Sequence, residues 1–297
     1  MSASGSRLIF QFQNLSIISF KFMDNSIKIF LFLKLGNQWY PSLAIPLSDF
    51  SHFSNSPRRW LAYLAFTLTG LVGKLRSDKD DPSSSELNLD SSDPITKYRA
   101  YYYVVDHDTE ITPVDPDLEN ASISDSSSFS SPRGRDAMFR SRVIDRDRTC
   151  IVDGAYEEDC EAAHIIGSSL GNEYIKTLTT KRHVNEDPVI SDINDVRNGF
   201  LMNISLYNNF GQSIAFLRVP NPFMRIKDIP SNNSAVNLEE ERQYFLHDFN
   251  SIYRDTPHRQ FVSPHNGRAR PPQDMTTWPT STLLDFVYGS VALKMAR

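Results

Sequence analysis

Residues 160–166 read CEAAHII, and the reading of His164 within them decides the fold. Two alanines precede the ring and two isoleucines follow it, which is the composition of a buried strand. A titratable ring in that setting is either a satisfied core histidine or a base held on a rigid element. Upstream, residues 149–152 read as a first strand and Asp153-Gly154 as the opening of a turn. Residues 161–166 then read as the second strand of a hairpin. The acidic run Glu157-Glu158-Asp159 between them reads as a solvated turn. Before the hairpin, residues 137–147 predict a helix with Phe139, Val143 and Ile144 on its apolar stripe and its arginines facing out. After it, VRNGFLMNISLYNNFG (196–211) opens on a turn signal, Arg197-Asn198-Gly199. Phe200, Leu201, Ile204, Leu206 and Phe210 then predict a short helix.

Further out, the chain alternates between structured and polar stretches. ISFKFMDNSIKIFLFL predicts a β-hairpin over about residues 15–35, with its turn at Asp24-Asn25-Ser26. PRRWLAYLAFTLTGLVGKL (57–75) predicts a buried helix, and YRAYYYVVD (98–106) a strand. Residues 77–94 and 119–135 are rich in Ser and Asp and read as linkers with little to bury. SIAFLRV predicts another strand. Residues 279–297 predict a closing amphipathic helix capped by Ser281 or Thr282. The domain reading is an N-terminal hairpin, helix and strand module at 1–113 and a Ser-rich linker at 114–135. The central domain follows at 136–217, with a C-terminal extension at 218–297.

Composition narrows the function classes. The 297 residues carry a formal net charge of −5, so no global basic field draws nucleic acid to the chain. Residues 136–216 hold eight Lys and Arg against thirteen Asp and Glu, so any nucleic-acid site there needs a metal or a partner. The two cysteines, Cys150 and Cys160, are too few for a disulfide scaffold or a four-cysteine zinc knot. They read as free thiols that face each other across the hairpin. No apolar run reaches the roughly 18 residues of a membrane span, and no signal peptide is read. The expectation is an intracellular protein, nuclear or cytoplasmic, without membrane contact.

RDRTCIVDG, CEAAHII and RNGFLMNISLY, taken in that order, resemble the HNH endonuclease family, and most of all the HNH modules of fungal proteins. The resemblance covers about residues 136–217. It implies an α+β fold with a ββα-metal core, flanked by the small N-terminal α/β module and the C-terminal helix. It also implies metal-dependent hydrolysis of a phosphodiester in nucleic acid, with His164 as general base. A neutral imidazole, with an unperturbed pKa of about 6.5, can deprotonate water at neutral pH. The resemblance gives Asn198 to the catalytic site, either ordering the loop that carries the base or ligating the metal through its amide oxygen. One divalent cation is implied, with Mg2+, Mn2+ and Zn2+ left open.

The sequence departs from the family at three positions. Tyr207 stands where the family has a metal-binding helix histidine, and a phenol with a pKa of about 10 is a poor ligand for Mg2+ or Zn2+. Gly211 stands where some members carry His or Asp, and Ala163 where many carry a ligand before the base. Glu161, Asp159, Asp192 and Asp195 are the carboxylates near enough in sequence to supplement Asn198. Two readings follow, a nuclease and a degenerate HNH module kept as a binding scaffold.

Overall fold

The computed structural model describes residues 27–79, 86–105, 114, 133–182, 187–230, 242–250 and 265–296. The chain divides into two compact units. The first takes Met1–Asp115, Pro220–Glu241 and Ala292–Arg297; the second takes Pro116–Val219 and Arg242–Val291.

The first unit is built on a four-stranded sheet. Strand β1 (Lys28–Leu35) is apolar apart from Lys28 and Lys34, alternates in burial, and turns through Gly36-Asn37 into β2 (Gln38–Pro46). Gly36 has φ +59°, the left-handed conformation a two-residue hairpin turn requires. The hairpin therefore runs forward from β1. The turn expected at Asp24-Asn25-Ser26 and the strand before it lie outside the described residues. Helices α1 (Leu47–Phe53) and α2 (Pro57–Thr69) follow, then β3 (Lys74–Arg76) and β4 (Ala100–Val104). The order across the sheet is β2-β1-β4-β3, with β1 and β4 parallel. Ile29, Leu31, Leu33, Tyr101 and Tyr103 form the buried face, each at most 2% exposed. The alternate residues of these strands point the other way, as the period of 2 dictates. The helix and strand expected at 57–75 and 98–106 are α2 and β4. The expected linker at 77–94 is in part pinned: Arg59 donates to both Asp90 oxygens at 2.9 and 2.6 Å, and Arg58 to the Asn88 carbonyl at 3.2 Å. Two buried guanidiniums on α2 need those acceptors, which a reading of polarity alone misses.

The second unit contains α3 (Arg133–Asp147), β5 (Cys160–His164), α4 (Gly171–Lys181), β6 (Gly199–Asn203) and α5 (Ile204–Tyr207). Strands β7 (Ile214–Val219), β8 (Gln243–Asp248) and β9 (Gly267–Arg268) form a three-stranded sheet. Most of α6 (Ser281–Met295) also belongs here. Residues 149–152 are not a strand. The Cys150 N–H bonds the Ala155 carbonyl at 2.8 Å, the Gly154 N–H bonds the Cys150 carbonyl at 3.0 Å, and a tight turn closes on itself. The partner of β5 is β6, antiparallel, with Cys160 opposite Asn203 and His164 opposite Gly199. The short helix expected from Phe200 onward is a strand over Gly199–Asn203. Their consecutive apolar side chains are buried on both faces, which is the pattern of an interior strand. The helix starts later, where the Asn203 amide oxygen caps the Leu206 N–H at 2.8 Å. The order strand, strand, helix thus holds in an α+β fold, through β5, β6 and α5. The cap of α6 also differs from expectation: Asp187, from before the helix, accepts both the Thr282 N–H at 2.9 Å and its hydroxyl at 3.0 Å.

Candidate functional site

His164 is the last residue of β5, and its side chain is half-buried. Its ring stacks on Phe139 of α3, with centroids 3.8 Å apart and planes 10° from parallel. The fit depends on Gly199 opposite it, where a Cβ would overlap the Phe139 ring and the Ala163 carbonyl. His164 Nε2 lies 3.0 Å from the Asn194 amide oxygen. An amide oxygen only accepts, so this contact places a proton on Nε2 and selects the tautomer whose lone pair lies on Nδ1. The geometry fixes both the plane of the imidazole and its tautomer.

Asn198 holds the loop that delivers Asn194. It is fully buried. Its amide oxygen accepts from the Ile166 N–H at 2.8 Å, and its NH2 donates to the carbonyls of Ile166 at 2.9 Å and Ile193 at 2.8 Å. Of the two roles that the resemblance implies, this geometry matches the ordering of the loop. Ligation of a metal by the same oxygen would compete with the Ile166 N–H.

Helix α3 grips the same loop from one side. Arg142 donates to the Asn194 carbonyl at 2.7 Å, and Arg146 to the Val196 and Gly199 carbonyls at 2.9 and 2.7 Å. The arginines of this helix therefore do not all face out. Arg146 is nearly covered and is bidentate with the buried Asp147, whose carboxylate also accepts the Leu201 N–H at 2.9 Å. Within the loop, Asp195 caps the turn and pairs with Arg197 at 2.6 Å. Burial raises the Asp195 carboxyl, but the hydrogen bonds and charge of Arg197 outweigh it and leave the pKa below its ordinary value. The arginine of the RNG motif is thus spent on its own turn.

The remaining expected residues spread out. Glu161 is exposed and 3.7 Å from Arg140, Asp159 sits in the exposed turn Glu157–Asp159, and Asp192 accepts the Asn194 N–H at 3.0 Å. Tyr207 closes α5, a helix that packs on both β5 and β6, and is 36% exposed. Among the described residues no three of His, Cys, Asp and Glu gather into a group that could hold a metal. The donor set does not fit a protein-built metal centre. Cys150 and Cys160 are both free and buried and share the Ala155 carbonyl as acceptor, the first through its N–H and the second through its thiol at 3.6 Å. Arg268 stacks over Phe245 at 5.6 Å, and the Arg270 N–H bonds the Ile151 carbonyl at 2.7 Å. Phe139 and Asn194 are the two site residues sequence reading missed. Phe139 was legible only as helix core, and Asn194 in SDINDVRNG looks like any loop asparagine.

No helix among the described residues is long and apolar enough to cross a membrane. Searches of curated proteins and of solved structures return no match. A family model described as HNH endonuclease matches residues 150–213, a span that holds the tight turn, β5, the Asn198 loop, β6 and α5. Over residues 150–213 the chain is therefore similar to the HNH endonuclease family.

Proposed function

We propose that this module hydrolyses phosphodiester bonds in nucleic acid, with His164 as general base and with turnover limited by the loss of the helix histidine at Tyr207. In this reading His164 and Asn198 stand at the family's histidine and asparagine positions. What supports it most is the His164 ring, clamped flat on Phe139 with Nε2 engaged by Asn194. A ring so held presents a basic Nδ1 of fixed direction. In the reaction, a water gives its proton to Nδ1 as its oxygen bonds phosphorus and the far P–O bond breaks. The Asn194 oxygen stabilises the imidazolium that results. Such a base contributes about 10²- to 10⁴-fold. HNH modules generally work with a divalent cation, which stabilises charge on the phosphate when bound. Here the side chains do not build its shell, so no step is assigned to it.

The test is plasmid nicking in Mg2+, Mn2+, Ni2+ or Zn2+, native protein against His164→Ala. Metal-dependent nicking that falls about 10²-fold or more in the variant is the expected result. Equal nicking by both proteins overturns it. The second reading, a module that binds without cutting, is favoured by the scattered carboxylates and the phenol at 207. It predicts nucleic-acid binding with no nicking in any of the four metals.

A further inference from the structure

The outward face of the sheet in the first unit has a composition that sets it apart. Lys28, Phe30, Phe32 and Lys34 on β1 alternate with the buried residues of that strand, and Ala100, Tyr102 and Val104 do so on β4. Register places Arg76 beside Tyr102, Lys74 beside Val104, Trp39 beside Lys34 and Pro41 beside Phe32. Phe32 and Tyr102 stack across the two central strands with centroids 5.2 Å apart, and Trp39 meets the same tyrosine edge-on at 5.2 Å. Lys28, Lys34 and Arg76 lie around these rings, and none of the four strands carries a carboxylate. That is a local cluster of positive charge in a chain whose net charge is −5. Among the described residues, Arg76 Nε is buried with no hydrogen-bond partner.

We propose that this face binds single-stranded nucleic acid, with bases stacking on Phe32, Tyr102 and Trp39 and phosphates meeting Lys34 and Arg76. Paired aromatic rings on the two central strands of a four-stranded sheet suit unstacked bases, whose π-faces are open. A duplex keeps those faces sealed in its own stack. An apolar helix as partner would leave the cations unpaired, and an acidic peptide would leave the rings unused. The face uses no residue of the 150–213 module, so its test does not depend on cleavage.

The experiment is fluorescence anisotropy of the full chain in EDTA, with fluorescein-labelled DNA and RNA strands of about 12 nucleotides and the matching duplex. Single strands should bind at least tenfold tighter than duplex, and quench Trp39 fluorescence. The comparison of DNA with RNA assigns the sugar. Tyr102→Ala and Phe32→Ala should each weaken binding about fivefold or more, as loss of one stacked base does. Lys34→Glu tests the charge without touching the core, because Lys34 is exposed. It should weaken binding and flatten the salt dependence by about 0.7 in log–log slope, the value for one phosphate no longer neutralised. No binding of any strand overturns the proposal. So does equal binding of duplex, equal competition by polyglutamate, or native affinity in both Tyr102→Ala and Lys34→Glu.

Discussion

At the scale of single residues, the site turns on which nitrogen of His164 carries the proton. Asn194→Leu removes the acceptor at Nε2 while keeping the volume, and the ring then samples both tautomers. Nitrogen-15 NMR of the imidazole should show protonated Nε2 in the native protein and a mixture in Asn194→Leu. Nicking should fall in kcat with KM nearly unchanged. Asn194→Asp keeps an acceptor oxygen and should restore the native tautomer; if it does not, Asn194 has no positioning role. Tyr207 carries a separate prediction. In the proposed reading, Tyr207→His supplies the family's helix ligand and should raise divalent-metal affinity about tenfold or more in calorimetric titration, one step of about 1.4 kcal/mol. Unchanged affinity would mean that position 207 does not face a metal. His164 itself was legible because titratable side chains are rare between Ala-Ala and Ile-Ile. Asn194 was not, since a hydrogen bond formed 30 positions away leaves no local signature.

At the scale of elements, the tight turn at 150–155 and the loop at 193–198 do the work that sequence reading gave to a local hairpin. The reading placed β5 correctly and its partner wrongly. Four residues with period 2 fit many strands, and the true partner, β6, lies beyond α4 in the chain. The run at 199–203 misled in the other direction. An interior strand loses its alternation, and a short apolar run then looks helical. By contrast α2, β4 and α3 were legible, because each is long or rich in aromatic residues. The dependence of the site on its loop can be measured. Asn198→Ala strands the Ile166 N–H and two carbonyls in the interior, at about 1–3 kcal/mol for each group left unpaired. Urea denaturation should show a loss of at least about 3 kcal/mol, and the His164 tautomer should become mixed as the Ile193-Asn194 segment loosens. A loss under about 1 kcal/mol would show that the loop holds without this amide. Gly199→Ala tests the other wall. It forces the buried Phe139 ring away, so it should shift the His164 ring resonances and cost about 1–3 kcal/mol of fold stability.

At the scale of the whole molecule, two buried thiols give the protein an alkaline weakness. Burial pushes Cys160 up to about 11, reinforced by negative charge from Cys150 and Asp153. Cys150 is also raised, first by burial and then by donating its thiol proton to Asp153. In the unfolded chain both ionise at about 8.5. A folded pKa above the unfolded one means that the protonated thiols favour the fold in full below about pH 8.5. That contribution is lost as pH climbs from there through the folded values, because the unfolded chain gives up protons that the native state keeps. The denaturation midpoint should therefore fall between about pH 8 and about pH 10, and fall less steeply in Cys150→Ala/Cys160→Ala. The slope is the readout, since the smaller side chains also lower stability at every pH. The same protonation keeps the native thiols unreactive near pH 8. Ellman titration should find almost none in the native state and two per chain in denaturant. Fewer than two in denaturant would mean a disulfide where the structure has free thiols. Equal pH slopes for both proteins would mean that the thiols ionise as readily in the folded state as in the unfolded one.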